Sequence, residues 1–227
     1  MTTLKLSGTL VWGAADVMNV KLSDTPSLAV AKKRRKENGD GSPAEIDSAA
    51  TLGFIFAAVG VGAMLGSVAS NALTSPDARS LLRSASAAFG LLTLGYAALS
   101  AAAAWSSLAA VLAATAARAA GSAVLWTYST LLLQLEVPDA LLGRTCALEQ
   151  ALYTLGECFS AVVAGLLFDA AAAAKAAAAK AARKVATATT EENVSVEAAA
   201  ALMALIAGAF WAFWASYVRV HERKRSK

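Results

Sequence analysis

Between Ser84 and Leu135 the chain carries one charge, the guanidinium of Arg118. An uncharged stretch of this length fits two membrane crossings of about 20 residues each. An arginine midway along the second costs about 2.5–3.5 kcal/mol on insertion scales unless it faces protein or water. Ser122 and Ser129 project within about 40° of Arg118 at helical spacing, giving one polar face. Asp16 and Asn19, three apart, share a face of the first apolar segment. Glu149, Tyr153 and Glu157 follow i, i+4, i+8 spacing and make a third polar stripe. An isolated carboxylate in hydrocarbon is costly or protonated. Three acids and one arginine on facing helices offset that cost by pairing around a shared cavity, with Glu157 as the acid expected to partner Arg118. Groups in this setting mark solute or proton pathways. The competing readings are a charge pair that only holds helices together and, for Glu149 and Asp16, a headgroup-level position near a span end.

Six apolar runs must position these groups: about 5–22, 51–73, 86–104, 106–134, 144–168 and 196–219. The second lies in an uncharged stretch from Ser48 to Pro76 and the sixth in one from Ala198 to Val218. The first is short and polar, with Lys5, Asp16 and Lys21, and the fifth holds two glutamates. All four prolines, at 26, 43, 76 and 138, fall between the runs, as expected of a residue that disrupts helix interiors. Gly62 and Gly66 on the second run form a small-xxx-small pair that lets helix backbones approach closely. The fold class expected is therefore all-α, a polytopic membrane protein with six transmembrane helices in a single domain.

Composition agrees. Apolar residues make up 57% of the chain before glycine is counted, against about 45–50% with glycine in soluble domains. Charged residues make up 16%, below the usual ~25%. A soluble Ala-rich bundle is the remaining fold alternative. The net charge of +4 does not imply nucleic-acid binding, because the basic residues sit in loops and tails without interleaved aromatics. The only histidine, His221, lies in the terminal tail 220–227, and no phosphate-cradling glycine loop occurs. Enzymatic activity, metal binding and a resident cofactor are accordingly not expected. Cys146 and Cys158 lie about 18 Å apart along one helix axis and cannot pair.

Two connections are long. Residues 23–50 hold the run Lys32–Lys36 and read as a solvated polar loop, with anionic lipid binding as the alternative. Residues 170–194 open with an Ala/Lys-rich tract of high helix propensity, read as an extension of the fifth span or a surface helix. Lys and Arg are nearly balanced between the two sides. The basic tail from Arg219 to Lys227 lies close to a span end and favours a cytoplasmic C-terminus. No cleavable signal peptide is apparent.

The order of these features resembles the C-terminal six-helix half of a major facilitator superfamily transporter. Arg118-Ala-Ala-Gly121 is similar to an Arg-x-x-(Gln)-Gly motif of that family, with Ala120 where glutamine is frequent. Pro138, Asp139, Gly143 and Arg144 resemble the short cytoplasmic link that follows, and Gly53 to Gly66 resembles a glycine-rich second helix. The stretch Trp12 to Asn19 resembles an opening helix of some exporters and permeases. Between the second and third helices only Pro76, Asp77, Arg79 and Arg83 remain of the acidic-basic signature. The resemblance implies secondary active transport of a small solute of unidentified class, with proton coupling through an acid such as Glu157. It also implies a partner half, so the chain reads as a fragment or as one of two half-transporters in a lipid bilayer. The alternative function is a non-transporting membrane scaffold whose buried charges serve helix packing. Trp126 and Tyr128 are placed for stacking but select no ligand class.

Overall fold

A computed structural model describes residues 2–25, 28, 30–31, 46–73, 77–182 and 193–225. Six helices follow one another: α1 (Thr2–Ser23), α2 (Ser48–Leu73), α3 (Ala78–Ala104), α4 (Leu108–Glu136), α5 (Asp139–Ala182) and α6 (Asn193–Arg225). Between α1 and α2 the short strands β1 (Val30–Ala31) and β2 (Ile46–Asp47) pair antiparallel, Val30 opposite Asp47. The basic run Lys32–Lys36 lies outside the described residues.

Five helices, α2 to α6, are long and apolar enough to cross a membrane. At 22 residues α1 is long enough as well, about 33 Å, but it falls short on apolarity. Half of the apolar window of α3 is buried inside the bundle, against 17% for α2 and for α5. Large apolar side chains such as Phe54, Met64 and Val68 on α2 and Leu155, Phe159 and Leu166 on α5 stand on the outside. An exposed apolar surface on this scale belongs to lipid or to another protein and not to water. These properties fit an integral membrane protein and disfavour the soluble bundle.

The helix ends have local causes. Asp77 caps α3 by accepting from the Ser80 amide at 3.0 Å, and Ser107 caps α4 by accepting from the Ala110 amide at 3.4 Å. Such caps satisfy N–H groups that have no partner within the helix. The intervening turn bends through Ser106 at φ 50 and leaves Trp105 exposed. The expected link at Pro138, Asp139, Gly143 and Arg144 proves shorter. Asp139 already opens α5, so Gly143 and Arg144 lie within the helix and only Val137 and Pro138 connect. Pro138 supplies a fixed φ suited to a helix start, and the acid after it suits the first turn. At the other end α5 continues through the Ala/Lys tract to Ala182, and α6 runs through the basic tail to Arg225.

Close approaches fix the directions of the helices. A Cβ on Gly62 or Gly66 would strike the backbone of Ala116 or Ala120, so α2 lies against α4 and runs with it. Gly95 abuts the backbone of Arg118, and Gly121 abuts Ala88 and Leu92, so α3 runs against α4. Gly90 and Gly208 place α3 and α6 in opposite senses, through Trp211 and Thr93. Gly13 abuts Glu157 and Ala161, and the Ala14 amide donates to Ser160 Oγ at 3.1 Å. That seam sets α1 alongside α5 in the same sense. Asn19 meets Arg118 while Trp12 meets Trp126, so α1 runs against α4, and each helix reverses the direction of the one before it. The core centres on α3, where Phe89, Leu92, Tyr96 and Leu99 are fully buried between α4 and α6.

Candidate functional site

α1, α2, α4 and α5 enclose a partly open cavity of about 320 Å³, with α3 and α6 standing behind. The seams just described explain why these four helices meet. The α2–α4 approach and the α1–α5 approach each bring two backbones together, leaving a gap between the pairs. From α1, Trp12, Asp16 and Asn19 face it; from α4, Arg118, Ser122 and Trp126; from α5, Tyr153 and Glu157. The α2 wall is nearly apolar, with Val59, Ala63 and Ser67. Six of the eight polar residues singled out by type and spacing therefore share one space.

Arg118 is 5% exposed. One terminal nitrogen donates to the Tyr96 hydroxyl and the other to Asn19 Oδ1, each at 3.3 Å. The guanidinium carbon also lies 5.2 Å from the centre of the Tyr96 ring, within cation–π range. Its Nε is buried without a hydrogen-bond partner. The pairing with Glu157 expected from sequence is not made: among the described residues no ion pair joins Arg118 to an acid. The cause is positional. Gly95 lets α3 approach so closely that Tyr96 reaches the guanidinium from behind. Glu157 instead lines the cavity from α5, one turn after Tyr153, while Asp16 stands exposed on the wall.

Two expected residues lie elsewhere. Ser129 is fully buried, and its hydroxyl donates to the Trp126 carbonyl of its own helix at 2.9 Å. Glu149 is 6% exposed, buried in the protein and not part of the cavity wall. Gly62 and Gly66 lie against the backbone of α4, and Gly121 lies against that of α3.

Sequence reasoning passed over Trp12 and Tyr96 and left Trp126 undecided. Trp12, Trp126 and Tyr153 form a cluster with ring centroids 5.8, 5.7 and 4.8 Å apart. Their signal was present in the spacing: Trp12 precedes Asp16 by one turn, and Trp126 follows Ser122 by one turn. Trp12 Nε1 is, like Arg118 Nε, a buried donor without a hydrogen-bond partner. Among the described residues no group of three or more His, Cys, Asp or Glu could hold a metal ion, and both cysteines are free. Chemically, the arrangement offers charge, hydrogen-bond donors and aromatic faces to a small guest.

Compared with known proteins, the chain matches no family model, no curated protein and no solved structure.

Proposed function

We propose that this chain is one six-helix half of a secondary active transporter of the major facilitator type, with the Arg118 cavity forming its share of the solute path. The observation that carries the reading is the convergence of Asp16, Asn19, Arg118, Ser122, Tyr153 and Glu157 on one cavity inside an apolar bundle. Charges kept at that depth are expensive, and a shared cavity gives them a use. The alternating helix directions support α1 as a sixth crossing, its Asp16 and Asn19 turned to the cavity and away from lipid. The partly open wall suits a path completed by a second half, since such halves rock against each other around a central site. Glu157 is the proposed proton carrier, and the tail after Arg219 is assigned to the cytoplasm.

A substrate-blind assay tests this. Proteoliposomes holding the chain, alone and with candidate partner halves, are incubated with an aqueous cell extract, washed and analysed by mass spectrometry. The expected result is accumulation of a defined set of solutes over protein-free liposomes, lost in Glu157→Gln. Contents identical to protein-free liposomes, with the chain folded and inserted, would refute transport. The scaffold reading rests on a different observation: Arg118 ties α4 to α1 through Asn19 and to α3 through Tyr96. On that reading Arg118→Met unfolds the bundle, whereas Asp16→Asn and Glu157→Gln change nothing.

A further inference from the structure

We propose that the Arg118 cavity takes a small zwitterion, a solute carrying a carboxylate and an ammonium group on an apolar or aromatic body; the inference rests on reading this cavity as a solute path. A guanidinium has five N–H donors. Here two are used, on neutral oxygens at 3.3 Å, and Nε has no partner. A buried cation left without an anion is strongly unfavourable, and a carboxylate is the guest whose two oxygens match the guanidinium fork. The opposite demand comes from the acids. Asp16 is exposed on the wall, and Glu157 faces the same cavity from α5. Among the described residues neither acid makes an ion pair with the arginine, whose side-chain partners are Tyr96 and Asn19.

Each single-charge guest meets a conflict. An anion placed at Arg118 shares the cavity with two carboxylates, and a cation placed at Asp16 shares it with a buried guanidinium. A zwitterion satisfies both. The spacing suits it: Asn19 marks the level of Arg118, and Asp16 lies three residues away on α1, about 4.5 Å along the axis. That separation is on the scale of the charges of an α-amino acid. Trp12, Trp126 and Tyr153 give the guest's apolar body ring faces to pack on and give its ammonium a cation–π surface. A volume of about 320 Å³ sits at the small end of ligand cavities, ~300–1,000 Å³.

Three probes that share one ring and differ in charge decide the matter: L-phenylalanine, phenethylamine and 3-phenylpropanoate. Each is titrated into the full chain in lipid nanodiscs and followed by tryptophan emission and thermal shift. Phenylalanine is expected to bind at least about tenfold more tightly than either single-charge probe. In Asp16→Asn/Glu157→Gln, phenylalanine and phenethylamine weaken while 3-phenylpropanoate does not. Equal binding of all three probes, or none by phenylalanine, overturns the proposal. The three-probe comparison on the unaltered chain needs no variant to fold. Phenylalanine binding without accumulation in the proteoliposomes upholds the ligand class and removes the transport reading. Accumulation of other solutes without phenylalanine binding does the reverse.

Discussion

Gly62→Ala and Gly60→Ala place the same methyl group on the same helix, two residues apart, and should have opposite effects. At Gly60 a Cβ meets nothing within 4 Å, so the change adds only helix propensity, about 0.5–1 kcal/mol of stabilisation. At Gly62 the Cβ would overlap the Ala116 carbonyl oxygen and lie 2.8 Å from Ala116 Cα. Both are backbone atoms of α4, so no rotamer change relieves the contact. Restoring an ordinary carbon–carbon separation of about 3.5–4.0 Å requires α2 to move off α4 by roughly 1 Å. Overpacking of this kind costs about 1–3 kcal/mol; the propensity gain is common to both variants, so that cost of about 1–3 kcal/mol is what separates them. Reversible unfolding of the detergent-solubilised protein with SDS, followed by tryptophan fluorescence, measures the difference. Two variants with the same midpoint would refute the α2–α4 seam and with it the floor of the cavity.

Tyr96→Phe removes the oxygen that accepts from Arg118 but keeps the ring beneath the guanidinium; a buried N–H left open should cost about 1–3 kcal/mol in the same titration, and an unchanged midpoint would remove Tyr96 as a partner. Ser160→Ala deletes the hydroxyl that accepts from the Ala14 amide and should cost about 0.5–1.5 kcal/mol, with no loss counting against the α1–α5 seam. Cys158 is exposed on the outside of α5, within the segment long enough to cross a membrane. A charged maleimide should therefore leave it unlabelled in intact membranes and label it fully in SDS; equal labelling would mean that α5 does not cross.

The positions of the spans were legible because charge-free stretches are one-dimensional features: Ser48 to Pro76 and Ser84 to Leu135 became α2, α3 and α4. Cavity residues could be found where a polar group sat on an otherwise apolar helix, which is why Asp16, Asn19, Arg118, Ser122, Tyr153 and Glu157 emerged together. Contacts across helices could not. Whether Arg118 meets Glu157 or Tyr96 depends on helix register, and that register is set by Gly95 and Gly121, whose neighbours are backbone atoms of another helix. Aromatic residues were hidden by the same logic, since on a helix apolar all round a tryptophan facing a cavity looks like one facing lipid. Ser129 misled because helical angle alone does not say where along the axis a cavity ends.

The seam between α1 and α5 also sets a timetable. Ala14 finds its hydrogen-bond partner 146 positions later in the chain. At a synthesis rate of about 5–20 residues per second, that partner emerges about 7–30 s after Ala14. During that interval α1, the one described helix without a stretch apolar enough to cross a membrane, lacks the neighbour that Gly13 packs against. The α1–α5 seam thus forms only once α5 has emerged, and a truncation before α5 would leave Gly13 and Ala14 without the partners they meet there.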